Sequence, residues 1–235
     1  MNISRSSYQN PTAVGFSAAV RILLFVGCSA LGIALGYFIP LIAKWALTLP
    51  WVPFQGPLKL ITAFSGVWVT IVTSVLGLPA GLWFAAEVIK DTLHVVVSGE
   101  TIRLEKDGTV QEFMRETVGS VFLDGKQLVI LGNNGEEHAR ETYDWASGRI
   151  AGALTEHGYP WSPGGDPYQE QFRRWVLDTP DLPLAVNALL KAREIALQKK
   201  EKGEAKELRR EVSKLGFVVK DEETRQYWRA QTTGE

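Results

Sequence analysis

Few side chains in this sequence are spaced for covalent chemistry. There is one cysteine, Cys28, and there are three histidines, His94, His138 and His157. Zinc and related metals need Cys, His or acidic ligands at short fixed spacings. These four residues show no such pattern, so no metal is expected. A hydrolase nucleophile of the G-x-S-x-G kind is absent, as are the phosphate-cradling G-x-x-x-x-G-K-[ST] and G-x-G-x-x-G loops. No cofactor and no catalytic set are implied. His94 and His138 lie in alternating runs beside acidic and apolar residues, where a histidine is ordinarily structural. Chemistry of another kind gathers near the C-terminus. Arg209, Arg210, Arg225, Tyr227, Trp228 and Arg229 combine guanidinium groups with aromatic faces. That combination attracts phosphates and stacks unpaired bases. Twelve basic residues face eight acidic ones between Lys191 and Arg229, a mild basic excess. The same residues fit plainer roles, because a tiny module needs an aromatic core and alternating helix charges usually face water. Contact with RNA or tRNA and docking of a protein partner both stand as expectations for them.

The first third of the chain dictates what must carry these groups. Residues 22–43 run uncharged between Arg21 and Lys44, and residues 60–86 run uncharged between Lys59 and Glu87. A bilayer core is crossed by about 20 apolar helical residues, so the pattern predicts a transmembrane hairpin whose first partner is the lipid bilayer. A cleaved signal would have an apolar part of about 7–15 residues and no second stretch behind it. Trp45, Trp51 and Trp83 stand near the ends of the stretches, where interfacial aromatics collect. Pro50, Pro53 and Pro57 break the connector, and Pro79 should kink or loosen the second helix. Cys28, Gly32 and Gly36 in the first helix and Gly77 and Gly81 in the second form small-residue faces. Such faces serve either a homodimer or the packing of one helix on the other, and the second use is favoured. Arg5, Arg21, Lys90, Arg103 and Lys106 flank the side of the chain ends, against Lys44 and Lys59 on the connector side. By the positive-inside rule the expected location is the cell membrane, multi-pass, with both termini cytoplasmic. No ionisable residue lies inside either span, so no ion path or proton relay is implied. A net charge of −1 gives no global field to choose a partner.

After residue 93 the period shortens to two. The runs LHVVVS, TIRLEK, TVQEFM, TVGSVFL, KQLVIL and EEHARETY are separated by tight-turn pairs at Asp107-Gly108, Asp124-Gly125 and Asn134-Gly135. They predict an antiparallel meander of about six strands. A closing amphipathic helix follows, with Asp144 as N-cap, Trp145, Ile150, Ala153 and Leu154 as its apolar face, and Gly158 at its end. Strands closed by one helix, directly after a membrane segment, resemble the bacterial pleckstrin-homology-like (PH-like) domains of small membrane proteins. Arg103, Lys106 and Arg115 either face lipid headgroups or, with Glu105, Glu112 and Glu116 between them, form a solvated face.

Residues 158–168, rich in Pro and Gly, read as a linker. The stretch 169–180 reads as a short helix with Phe172, Trp175 and Val176 docking on a neighbour. A helix starting near Asp181 and Pro183 carries a stripe of Leu184, Ala188, Ala192, Ile195 and Ala196. Gly203 interrupts it, and a second helix has Leu208, Val212 and Leu215 on one face, ended by Gly216. FVVK and RQYWRA flank the acidic turn DEET as a hairpin. Residues 188–229 resemble the small C-terminal anticodon-binding module of cysteinyl-tRNA synthetases. Ala205, Leu208, Arg209, Val212, Gly216, Val218, Asp221, Trp228 and Arg229 occupy its pattern. Gly203-Glu204 and Glu222-Glu223-Thr224 depart from it, and the synthetase's nucleotide-binding fold is missing, which excludes aminoacylation. The order of parts is similar to that of YqeB-like bacterial membrane proteins. The expected fold is thus an α+β membrane protein: a tail (1–20), a transmembrane helical hairpin (21–90), a small antiparallel PH-like β domain closed by a helix (91–161), a linker with a short helix (162–181), and a helix pair plus β-hairpin (182–235). The expected role is a non-enzymatic adaptor for a protein partner or the membrane surface; the alternative is a membrane-tethered RNA or tRNA binder.

Overall fold

The computed structural model describes residues 10–48, 67–222 and 225–232. Expectations for the first nine residues, the proline-broken connector with Trp51 and Phe54, Lys59, the start of the second apolar stretch and residues 223–224 of the acidic turn lie outside the described residues. Two compact units emerge: one is Gly15–His94 with Glu105–Thr109, and the other holds the rest of the described chain.

The first unit is a helix pair, α1 (Ala18–Ala46) and α2 (Val67–Asp91). Ser17 caps α1 by accepting from the Val20 N–H at 3.3 Å. Both helices are long and apolar enough to cross a membrane. α2 continues past Pro79 to Asp91, and α1 also contains a proline, Pro40. The two backbones touch. A Cβ built on Gly32 would strike the Gly77 carbonyl oxygen, one on Gly36 the Thr73 carbonyl, and one on Gly81 the Cys28 carbonyl. The small-residue faces therefore pack on each other within the chain, and a second copy would have to use another surface.

The second unit begins before the helices. β1 (Thr12–Val14) pairs antiparallel with β2 (His94–Val97), placing Val14 opposite Val95. β3 (Thr101–Lys106) and β4 (Thr109–Met114) complete a four-stranded sheet in the order β1-β2-β3-β4. β5 (Val118–Asp124), β6 (Gln127–Gly132) and β7 (Glu137–Thr142) form a second, antiparallel sheet. The six expected strands are present, but the single meander is corrected to two sheets. The loose tail is corrected as well: residues 12–14 are strand, too short a run to show a period. α3 (Ser147–Glu156) buries Ile150, Ala153 and Leu154 and is followed by Gly158 at φ 71°. Asp144 is not its cap; that position falls at Ala146, which has no capping side chain.

The expected linker is a strap. Val121 N–H donates to Pro160 O at 2.9 Å and Ser162 N–H to Val121 O at 2.8 Å. Further on, Tyr168 packs against Phe122, Val129 and Leu131. Leu128, Val129, Ile130 and Leu131 are consequently all buried, because β6 is covered on both faces.

The C-terminal part holds α4 (Leu184–Gln198), α5 (Lys202–Lys214), β9 (Phe217–Glu222) and β10 (Arg225–Ala230). The expected short helix is instead a 3-10 turn at Gln169–Gln171 and a strand, β8 (Arg173–Arg174), which joins the hairpin in the order β8-β10-β9. The helix break lies at residues 199–201, with Lys200 at φ 62°, so Gly203 sits inside α5. The inward face of α4 is Val186, Asn187, Leu190, Arg193 and Ala196. Of the expected stripe only Ala196 is buried, and Leu184 is 86% exposed. Two inward positions are polar, and that shifted the apolar count onto the wrong side. Leu215 likewise lies off the buried face of α5. Trp175, Leu182, Val186, Leu190, Val212, Val219 and Trp228 form the core here.

Overpacking a tight contact typically costs about 1–3 kcal/mol. Gly32→Leu is expected to lower the melting temperature of the detergent-solubilised protein. Gly27→Leu, at a position with open space for a side chain, should leave it nearly unchanged. Circular dichroism melts of both variants check this.

Candidate functional site

The polar groups of the second unit form one connected chain. On β5 and β7, Arg140 lies 2.8 Å from both Asp124 and Glu137. Across from them Arg209, on α5, lies 3.7 Å from Glu137 and 2.7 Å from Asp221 of β9. Arg193, on α4, donates to both oxygens of Asp221 at 2.6 and 2.7 Å and to Gln226 at 2.8 Å. Three carboxylates thus alternate with three guanidiniums from the PH-like sheet into the C-terminal helix pair. Burial alone would raise the Asp221 carboxyl, but the Arg193 hydrogen bonds and the charges of Arg209 and Arg193 outweigh it and hold it below the usual carboxylate range. Burial also works against the Arg140 cation, yet Glu137 and Asp124 together keep its pKa above the ordinary value. At Arg209 burial prevails and lowers the pKa, with Glu137 and Asp221 opposing.

A second tie is built on Arg229, which is fully buried. Its guanidinium sits 4.4 Å above the Tyr168 ring and 5.5 Å from the Phe172 ring centroid, and it donates to the Gly135 carbonyl. Cation–π contacts of this kind strengthen when desolvated. Gly135 is required twice over. Its φ is 69°, and a Cβ there would crowd Tyr168 and Arg229 at 3.1–3.2 Å. Thr232 N–H adds a bond to Asn134 O at 2.9 Å.

The six sequence candidates therefore separate. Trp228 is core, with its ring tilted against Phe217 at 5.8 Å. Arg229 and Arg209 are struts between the sheet and the module. Arg210 and Arg225 are exposed and Tyr227 is half-buried. The aromatic–arginine cluster is thus not a single open surface. Arg193, Glu137, Arg140 and Tyr168 escaped sequence reasoning, and Asp221 entered only as a position of the resemblance. The one available signal was a charged residue, Arg193, in phase with Leu190 on α4. Arg115 is also structural: it donates to the carbonyls of His157 and Gly158 at 3.1 and 2.9 Å. His138 stacks on Phe113 at 5.8 Å, and His157 bonds Thr12 Oγ1 at 3.0 Å. Beside the charge chain, α5 and β7 border an open cleft of about 310 Å³.

A separate polar cluster belongs to the first unit. His94 Nδ1 lies 3.4 Å from an Arg21 guanidinium nitrogen. That group can only donate, so Nδ1 accepts and the ring is neutral. Desolvation, then the Arg21 charge, hold the His94 pKa below its ordinary value, with Glu105 opposing.

Two outcomes follow from these ties. Breaking a buried ion pair from one side costs about 3–5 kcal/mol. Arg193→Met is expected at the lower end, since Arg209 still faces Asp221; denaturant unfolding read by tryptophan fluorescence measures it. For His94, the unfolded chain takes up a proton near the ordinary value of 6.5, whereas the folded chain resists it to lower pH. Stability should therefore fall as pH drops through that value, and His94→Gln should show a smaller fall. Melting temperatures of both proteins at about pH 7.5 and about pH 5.5 compare them.

Comparisons with known proteins agree with this layout. Residues 12–162 match the YqeB-like bacterial PH domain, and residues 179–229 match the cysteinyl-tRNA ligase anticodon binding domain. The chain is 45% identical over 225 residues to the uncharacterized protein YqeB of Bacillus subtilis (strain 168), covering 96% of this chain and 94% of that protein. No solved structure matches it. The first match starts at β1 and ends in the strap, so it takes in the helix pair and both sheets. With that match and that relative, the chain belongs to the family of the YqeB-like bacterial PH domain.

Proposed function

We propose that this protein is a membrane-anchored, non-enzymatic adaptor. The helix pair fixes it in the cell membrane, and the PH-like domain and C-terminal module together are presented to a protein partner. The observation that carries the anchor is the outward face of the helices. Leu23 is 69% exposed and Trp68 is 78% exposed, while only Gly36 and Ala43 of α1 and Gly81 and Ala85 of α2 are buried among the described residues. Helices apolar all round need an apolar solvent, and lipid is that solvent. Arg21, Lys90, Arg103 and Lys106 on the side of the chain ends favour a cytoplasmic position for both termini. The adaptor half of the reading is supported by what the polar groups do. The most buried charges of the second unit are spent on joining its own parts.

A second reading, a membrane-tethered RNA or tRNA binder, draws on the match of residues 179–229 to an anticodon binding domain. It is weakened because Trp228, Arg229 and Arg209 are occupied within the fold, which leaves Arg210, Arg225 and Tyr227 for contact.

Cell membranes washed in alkaline carbonate are expected to retain the protein; its release would overturn the anchor. For the second reading, tRNA binding by the solubilised protein should be absent at low salt. Binding that weakens steeply with added salt and is lost in Arg225→Glu would favour RNA instead.

A further inference from the structure

The adaptor reading leaves the partner's chemistry open, and one surface of the second unit narrows it. β7 is the last strand of its sheet. β6 pairs it on one side, and among the described residues no strand pairs it on the other. A free edge offers a row of backbone donors and acceptors to an incoming strand. Residues 137–141 of β7 also line the cleft of about 310 Å³, together with α5 and Gln111 of β4.

The α5 wall is cationic and regular. Lys206, Arg210 and Lys214 line the cleft at four-residue spacing, a rise of about 6 Å per step on a helix. A β-strand repeats its side chains on one face every two residues, about 6.6–6.8 Å apart. A strand lying along β7 would therefore bring every second side chain opposite one of these cations. Lys206 reaches Glu141 and Arg209 reaches Glu137, so the stripe and β7 run alongside each other in opposite senses. Arg210 makes no ion pair or hydrogen bond among the described residues. Arg209 Nε is buried on this wall without a partner. The acids that border the cleft are already engaged: Glu137 by Arg140 and Arg209, and Glu141 by Lys206. Lys206 is itself paired with Glu141, and Lys214 with Glu211 at 2.6 Å, so Arg210 is the cation of the stripe left unpaired among the described residues.

We propose that the cleft between β7 and α5 receives an extended acidic segment of a partner protein. The segment adds to β7 as a strand and sets alternate carboxylates against Lys206, Arg210 and Lys214. The proposal rests on the adaptor reading for its biological sense but not for its geometry. A nucleic acid or an anionic lipid would satisfy the cations and leave the strand edge unread.

The test uses the full-length protein in zwitterionic nanodiscs and a fluorescein-labelled peptide of alternating Glu and Val, followed by fluorescence anisotropy. The peptide is expected to bind. The double change Arg210→Glu and Lys214→Glu should weaken it at least tenfold, while Lys191→Glu on the exposed side of α4 should not. Unchanged melting curves would show that both variants fold. Two further peptides carry backbone N-methyl groups on the Glu residues or on the Val residues. One of the two should lose binding and the other keep it, since only one set of N–H groups faces β7. Failure of the parent peptide to bind, equal binding of both methylated peptides, or displacement by single-stranded RNA or phosphatidylglycerol vesicles at matched charge would overturn the proposal. Carbonate extraction remains separate: a protein that binds the peptide but washes off membranes loses its anchor and keeps its cleft.

Discussion

Glu137 stands between Arg140 and Arg209, and the second unit depends on that arrangement. A charge taken out of water costs several kcal/mol unless an opposite charge and hydrogen bonds replace the solvent. Arg193 and Arg140 side chains are 2% and 5% exposed, so neither could be tolerated alone. The alternation of three acids and three guanidiniums leaves no member without a neighbour of opposite sign. Such a chain adds little stability over an apolar contact of similar size. It does fix geometry. A one-residue slip of α5 along β7 would set Arg209 away from Glu137, leaving Glu137 with Arg140 alone and Arg209 with Asp221 alone, so the observed docking is the one that keeps the chain continuous. The Arg229 tie supports the same orientation, because its bond to Gly135 and its stack on Tyr168 need the Asn134-Gly135 turn in one place.

The first unit solves the opposite problem. It has almost no polar groups to satisfy, and its apolar side chains face outward. In a bilayer, burial of side chains would not hold two such helices together, since lipid is as apolar as another helix. What remains is close approach, and the glycines supply it. Gly32 faces the Gly77 carbonyl and Gly81 faces the Cys28 carbonyl, so dispersion acts between backbones rather than between side chains. Pro40 and Pro79 sit inside the helices without ending them, as neighbouring groups in such helices can take up the freed carbonyl.

How legible each part was depended on how far apart its determinants lie. The helices were legible because length and lack of charge are local properties. Six strands were legible because Asp107-Gly108, Asp124-Gly125 and Asn134-Gly135 mark the turns and the alternation between them is regular. The split into two sheets was not, since it falls between β4 and β5 at the 3-10 turn Arg115–Thr117, where the sequence carries no Asp-Gly or Asn-Gly pair; nor was β1, three residues that pair with β2. The strap was not either: a run rich in Pro and Gly signals irregular backbone but does not say that Tyr168 covers Phe122 and Val129. The C-terminal hairpin and helix pair were read correctly, yet the buried face of α4 was missed because Asn187 and Arg193 are polar. Their burial makes sense only with Trp175, Asp221 and Gln226 in place. The candidate residues separate for the same reason. Arginine beside an aromatic spells nucleic acid in one dimension, and in three it spells an intramolecular contact when Gly135, Glu137 and Tyr168 stand opposite.

That difference bears on how a module similar to an anticodon binding domain comes to serve in a chain of this family. Arg209 and Arg229, two of the candidate RNA-contact residues, are here turned toward the PH-like sheet. Arg229 is held by groups outside the module, Arg209 by Glu137 outside it and Asp221 within it, and Trp228 by the module's own core. The cation left unpaired among the described residues is Arg210, which is exposed and lines the cleft shared with β7. The docking of the module thus removes one kind of surface and creates another. A cation-lined groove beside β7 exists only because α5 is anchored at Glu137 and Glu141. The PH-like domain and the C-terminal module line that groove jointly, and neither lines it alone.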